Sequence, residues 1–219
     1  FMNYETENSD IPFAKDVAYR FLNSMHINWQ RFLLLLSAKV INHHIAPLTT
    51  DERADAFVID DSFFSRTRSK AVELLCWVKD HADGNKNKKG FRMLTLGWTD
   101  GNSFVPVAFN LLSSANSKVR INPARQCIDK RTVGFKRRQN ALTTSPESAL
   151  SMLKQAMSVG IKAKYVLFDS WFSFPATIIK ICKMNLNVIA MLKDTPKIYY
   201  TFNGEKKSLR EIYRTVRKR

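Results

Sequence analysis

Cysteine is scarce. The 219-residue chain holds three, Cys76, Cys127 and Cys182, with no C-x-x-C pair and no histidine close to any of them, which leaves neither a zinc site nor a disulfide framework. Cys76 and Cys182 fall on what read as apolar helical faces and are expected in the core. The four histidines show no metal-ligand spacing either, since the adjacent His43 and His44 project about 100° apart on a helix. Long apolar runs are also missing. The longest, "FLLLLSAKVI" at 32–41, is broken by Ser37 and Lys39 and falls short of the roughly 18 to 20 residues a membrane span needs, so it reads as a buried helix. The opening "FMNYETENSD" is polar and acidic and lacks the order of a signal peptide. A cytoplasmic, nucleoid-associated location is expected, with no membrane partner. The deficit with the largest consequence is acid. Against 35 Lys and Arg stand 19 Asp and Glu, a formal charge of +16. That exceeds what solubility requires and points to a polyanion, nucleic acid before an anionic membrane surface.

What is present is a globular composition, with 45% apolar and 11% aromatic residues. Residues 1–50 read as a helical N-terminal region, in which "PFAKDVAYRFLNS" and "NWQRFLLLLSAKVINHH" repeat apolar residues every three or four positions. "APLTTDERAD" marks a boundary. From there "AFVID" at 56–60 is a short strand, "SKAVELLCWVKDHA" a helix and "DGNKNKKG" an exposed loop. "FRMLTLGW" and "SFVPVAFNLL" form a hairpin about "TDGN", with Trp98, Phe104 and Phe109 expected in the core. The stretch from Ser113 to Ser145 is polar, basic and without clear period. "SPESALSMLKQAMSVG" is an amphipathic helix with a Ser cap that closes on Gly160. "KYVLF" is a strand, "FPATIIKICKMN" a helix and "NVIAML" a strand. The tail carries a turn at Asn203 and Gly204 and then a basic helix. Strand-helix-strand crossovers at the end require parallel pairing. The fold expected for residues 55–219 is therefore α/β, a mixed five-stranded sheet flanked by helices, of the ribonuclease-H-like type. In it the ends of the first and fourth strands lie side by side.

Both of those strands run into acid, "AFVIDDSFF" at Asp60 and Asp61, and "YVLFDSWFSF" at Asp169. Alone, each such Asp is most simply a turn former or helix cap. Two of them on adjacent strand ends of a basic chain read instead as a pair of carboxylate mounts for hard divalent ions, Mg2+ or Mn2+. Trp171, Phe172 and Phe174 read as core, with a DNA-end wedge as the alternative. The basic stretch contributes Lys118, Arg120, Arg125, Lys130, Arg131, Lys136, Arg137 and Arg138 against a single acid, Asp129. It reads as a phosphate-tracking loop, with a solvated loop as the bland alternative.

Three segments together, "VIDDS" at 58–62, "KGFRMLTLGWTDGNSFVPVAFNLLSS" at 89–114 and "YVLFDSWFSFP" at 165–175, resemble the DDE transposases of bacterial insertion sequences, in the insertion-sequence-four-like group. The resemblance implies metal-dependent cleavage and strand transfer on double-stranded DNA, with Asp61 and Asp169 as catalytic metal ligands, and a homodimer on paired DNA ends. Its pattern favours Asp61, the acid directly before Ser, over Asp60, which would face the other side of the strand and bond to backbone. The group's third acid, a Glu within Y-x2-R-x3-E-x6-K, has no counterpart here. Glu205 and Glu211 are the only acids after Asp194, and neither fits. On this reading residue 219 lies within the insertion that precedes the third acid, and the chain alone is expected to bind metal poorly and cleave little. A decayed, non-catalytic DNA-binding copy of the same fold is the alternative.

Overall fold

A computed structural model describes residues 15–50, 52–84, 86–126, 128–192, 194–195 and 198–216. The start of the first expected helix, residues 12–14, and Cys127 lie outside them.

One mixed sheet organises the chain. Its strands are β1 (Ala56–Ser65), β2 (Cys76–Asp80), β3 (Lys86–Thr99), β4 (Phe104–Leu112), β5 (Tyr165–Phe168) and β6 (Asn187–Ala190). β3 runs antiparallel to β1, β2 and β4, and β1, β5 and β6 are parallel neighbours. The spatial order is β4-β3-β1-β5-β6, with the short β2 taking up the edge of β3 where β4 ends. This is the expected five-stranded arrangement with a sixth strand added. The helices are α1 (Lys15–Leu22), α2 (Trp29–Val40), α3 (Val133–Asn140), α4 (Ser145–Ser158), α5 (Pro175–Cys182) and α6 (Leu209–Thr215). A two-stranded hairpin, β7 (Tyr200–Phe202) and β8 (Glu205–Lys207), turns at Asn203 and Gly204 as expected, both with positive φ.

Alternation along β1 decides which face is covered. Phe57 and Ile59 point into the main core beside their parallel partners Val166 and Phe168, against Ala149, Met152, Leu153 and Ala156 of α4. Each large side chain buried there contributes about 1.5 to 3 kcal/mol of transfer free energy. Leu34, Ala38 and Ile41, from α2 and the turn after it, enter the same core. Polar stitches fix their placement. Ser37 Oγ donates to the Pro106 carbonyl at 2.6 Å, and Asn110 joins Gln30 of α2 to Ser148 of α4. Buried polar side chains need such partners.

Several expectations are corrected. "SKAVELLCWVKDHA" is no helix, because Cys76, Val78 and Asp80 are buried and Trp77 and Lys79 exposed, a period of two that suits pairing with β3. Cys76 is therefore buried on a strand, and Cys182, at the last turn of α5, is exposed. β1 runs on to Ser65, five residues past "AFVID". The four-residue loop after Thr99 is held by Asp100, whose Oδ1 accepts from the backbone N–H groups of Asn102 and Ser103. Trp98 is core, Phe109 half-buried and Phe104 exposed, its ring laid over Gly97 at the hairpin end. The basic stretch contains α3, capped by Thr132. The cap of α4 is Thr144, which forms a reciprocal capping box with Glu147. Phe172 is core, whereas Trp171 and Phe174 are exposed.

Candidate active site

The parallel ladder between β1 and β5 ends at Ile59 and Phe168. The next residues are Asp60 and Asp169, so two chains that run side by side both turn from apolar to acidic at the same level. β1 continues beyond this point paired only with β3. The acids therefore stand where β5 departs and the sheet surface opens, and not at the end of β1 itself. Asp169 is the first residue after its strand. Its Oδ1 accepts from the Trp171 N–H at 2.8 Å, so it shapes the turn to Trp171 and does not cap α5, whose N-cap position is Phe174.

Asp60 and Asp61 divide the local work. Asp60 is exposed and its Oδ1 accepts from the Asp61 N–H, which is the backbone bond expected for it. Asp61 points the other way, to Arg92 of β3. Arg92 Nη1 meets Asp61 Oδ2 at 2.7 Å, and both side chains are largely shielded. The guanidinium also donates to the Lys79 carbonyl and lies 5.8 Å from the ring centroid of Trp171, itself in ring contact with His81. Asp61, Arg92 and Trp171 thus connect β1 to the turn that Asp169 shapes. Two relations compete here. Strand register sets Asp60 level with Asp169, whereas side-chain contacts tie Asp61 to the Asp169 turn.

Carboxylates are the hard oxygen donors that Mg2+ or Mn2+ takes, and here they come from two neighbouring chains, with Asp60 and Asp61 on opposite faces of β1. Oδ2 of Asp60, Oδ1 of Asp61 and Oδ2 of Asp169 have no hydrogen-bond partner among the described residues. Among those residues no group of three His, Cys, Asp or Glu side chains gathers into a ready metal cluster. Glu211 is spent on the capping box of α6 with Ser208, and Glu205 opens β8 beside Lys207.

Arg92 was not singled out from sequence, although it is the only charged residue in "FRMLTLGW". A charge inside an otherwise apolar strand must find a partner or reach water, and that is the signal that marks it.

The eight basic residues separate into two groups. Arg131 pairs with Asp129. Arg138 makes a two-pronged pair with Glu73, Nε to Oε2 at 2.6 Å and Nη2 to Oε1 at 2.9 Å, and this bond holds the Glu73 carboxyl below its usual range. Arg120 and Arg137 donate to the carbonyls of Ser114 and Ser24. Lys118, Arg125, Lys130 and Lys136 are exposed, with no carboxylate on their side chains among the described residues.

A mixed sheet of this order, flanked by helices and presenting acids where its first strand parts from the next parallel one, defines the ribonuclease-H-like class. Within that class, the sequence profile described as DDE superfamily endonuclease matches residues 6–219, and the chain belongs to that family. The family is one of transposase-like nucleases that act on DNA with divalent metals. A comparison with curated proteins finds no significant match. No helix among the described residues is long and apolar enough to cross a membrane.

Proposed function

We propose that the chain is the catalytic domain of an insertion-sequence transposase of the insertion-sequence-four-like group, cutting DNA at the ends of its element and joining the freed 3′ hydroxyl to a target phosphate. The observation that carries this reading is that β1 and β5 both turn acidic where β5 leaves β1, with Asp61 tied toward the Asp169 turn through Arg92 and Trp171.

Divalent ions bound there would activate the attacking oxygen and stabilise the leaving one. The chain's own part is positional. β1, hydrogen-bonded to β3 on one side, fixes the Asp60 and Asp61 backbone, and the Asp169 side chain is oriented by its bond to the Trp171 N–H, so little ordering is left to metal entry. Arg92 holds Asp61 while no metal does. Lys118, Arg125, Lys130 and Lys136 fit phosphate contacts, which set position and carry no sequence information. Paired DNA ends imply two copies of the chain, and a homodimer on DNA belongs to this proposal, as does residence at the bacterial nucleoid.

A second reading, a non-catalytic DNA-binding module, is favoured by one observation: Asp61 is already neutralised by Arg92. Diffraction from crystals soaked in Mn2+ separates the two. Anomalous density between Asp61 and Asp169 is the expected result, with Mn2+-dependent nicking of supercoiled plasmid weak but detectable, since neither Glu205 nor Glu211 supplies a third acid. An intact Asp61–Arg92 pair with no ion in saturating Mn2+, and no nicking, sets the catalytic reading aside.

A further inference from the structure

The far end of the sheet, past the candidate active site, carries a second surface built for a polyanion. Here β1, β3 and β2 form a narrow ribbon. The Arg66 N–H donates to the Lys89 carbonyl, Lys89 pairs with Trp77 across β3 and β2, and the Trp77 N–H reaches the Val119 carbonyl. Cross-strand partners share a face, so Arg66, Lys89 and Trp77 form a row across three strands. Lys79 lies two residues from Trp77 on that same face, and Lys118 flanks the row beside Val119. Trp77 is 44% exposed, with Lys89 Nζ 5.6 Å from its ring centroid.

The opposite face of the same ribbon treats its lysines differently. Lys88 is clasped by Asp80 and Asp83, and Lys86 pairs with Asp83. On the Trp77 face, no described carboxylate pairs with Arg66, Lys79, Lys89 or Lys118. A ribbon that neutralises its cations on one side, and on the other leaves four around an exposed indole, is charged on that side for a partner. An indole ring with cations beside it matches a nucleic-acid strand whose base faces are open: the ring stacks a base and the cations hold the flanking phosphates. A paired base inside a duplex has no free face to offer.

The surface leads to the acids. Trp77, Lys79, Asn87, Lys118 and Val119 line a recess of about 590 Å3. Trp77 and Lys79 also border a second recess of about 380 Å3, which reaches Arg92 and Trp171 around the β2 edge of the ribbon, Arg92 belonging to the opposite face. We propose that the Trp77 face of this ribbon, the face on which β1 carries Asp60, binds an unpaired DNA strand that approaches the acids from the Asp60 side. The choice of DNA rests on the transposase reading. The stacking site itself does not.

The test is fluorescence anisotropy with a labelled oligo-dT strand and a duplex of equal length, without divalent cation, so that no bond is cut. Trp77→Ala is expected to weaken oligo-dT binding about tenfold while changing duplex binding less than about twofold, and Trp77→Phe to recover most of the loss. The triple change of Lys79, Lys89 and Lys118 to Ala is expected to reduce the salt slope on oligo-dT by about 2. Thermal melts show that each variant is folded, which exposed positions favour. The proposal is overturned if Trp77→Ala leaves oligo-dT binding unchanged, if it weakens strand and duplex alike, or if the unaltered chain binds neither. Failure of Mn2+-dependent nicking with the Trp77 effect intact removes the transposase reading and leaves this one standing.

Discussion

Arg92 Nη1 stands 2.7 Å from Asp61 Oδ2, with the two side chains 17% and 11% exposed. A guanidinium placed against a proposed metal ligand neutralises a shielded carboxylate, and it competes with an incoming cation for the same oxygen. Removing it leaves Asp61 shielded and unpaired, a situation that costs more than the pair contributes. Arg92→Ala is therefore expected to destabilise the metal-free chain by about 2 kcal/mol and to lower its melting temperature by about 4 to 8 °C. The variant should also bind Mn2+ more tightly than the parent chain, and Mn2+ should recover more of its melting temperature. Calorimetric titration and melts with and without Mn2+ check both. Equal Mn2+ affinity in the two proteins means that Arg92 and the ion do not share Asp61.

The choice between Asp60 and Asp61 is open to the same chemistry. Asp61→Asn and Asp169→Asn keep shape and remove charge, and each is expected to lower Mn2+-dependent plasmid nicking on the order of a hundredfold or more, since even partners behind a metal ligand are worth 10- to 100-fold. Asp60→Asn, which keeps an oxygen to accept from the Asp61 N–H, is expected to cost less than about tenfold. The reverse order would assign the ligand to Asp60, the acid that strand register sets level with Asp169.

The eight basic residues, alike in sequence, should behave as two classes. Lys130→Ala with Lys136→Ala is expected to reduce the slope of log affinity against log salt on duplex DNA by about 2, with the melting temperature unchanged. Arg138→Ala breaks the pair with Glu73 and is expected to lower the melting temperature by several degrees. Salt titrations and melts on the same variants separate the classes.

Much of the scaffold was legible in the sequence. "AFVID", the long hairpin and "KYVLF" showed themselves by apolar runs between turn residues, and their order fixed the topology, because parallel crossovers leave few arrangements. β2 was not legible. "SKAVELLCWVKDHA" carries good helix formers, and only pairing with β3 and the covering of Leu74 and Leu75 beneath the basic stretch turn it into a strand. α3 was hidden because "VGFKRRQN" has almost no apolar face to show a period. The acids were visible as residue types. What Asp61 touches was not, because Arg92 lies 31 positions away and nothing local marks the pairing.

Acid should weaken the fold at the hairpin loop. Asp100 is 2% exposed, and the Ser103 N–H foremost, then that of Asn102, with Arg53 and Thr49, holds its carboxyl below the usual range against the opposing effect of burial. A carboxylate with a lowered folded pKa contributes stability that is complete above its unfolded value of about 4 and is lost as pH falls through the folded value. Unfolding free energy should therefore decline below about pH 4, and Asp100→Asn should flatten part of that decline while lowering stability at neutral pH. Denaturant unfolding of both proteins across this range measures it, and identical pH dependence would exclude Asp100 as a contributor.

Two glycines of "KGFRMLTLGW" separate a rigid requirement from a soft one. Gly90 is where β3 meets both neighbours, opposite Ser65 of β1 and Cys76 of β2, and a Cβ there would run into the Phe64 carbonyl and the Phe63 ring. The carbonyl belongs to β1 and cannot move without breaking the register that carries Asp60 and Asp61. At Gly97 the nearest atoms a Cβ would meet are those of the Phe104 ring, an exposed side chain that can swing into water. Gly90→Ala is thus expected to cost about 2 to 3 kcal/mol, the range of overpacking against backbone, and to disturb the acids; Gly97→Ala should cost less than about 1 kcal/mol. Denaturant midpoints rank the two, and a Gly97→Ala loss equal to that of Gly90→Ala would mean that Phe104 is held in place by more than the hairpin end it covers.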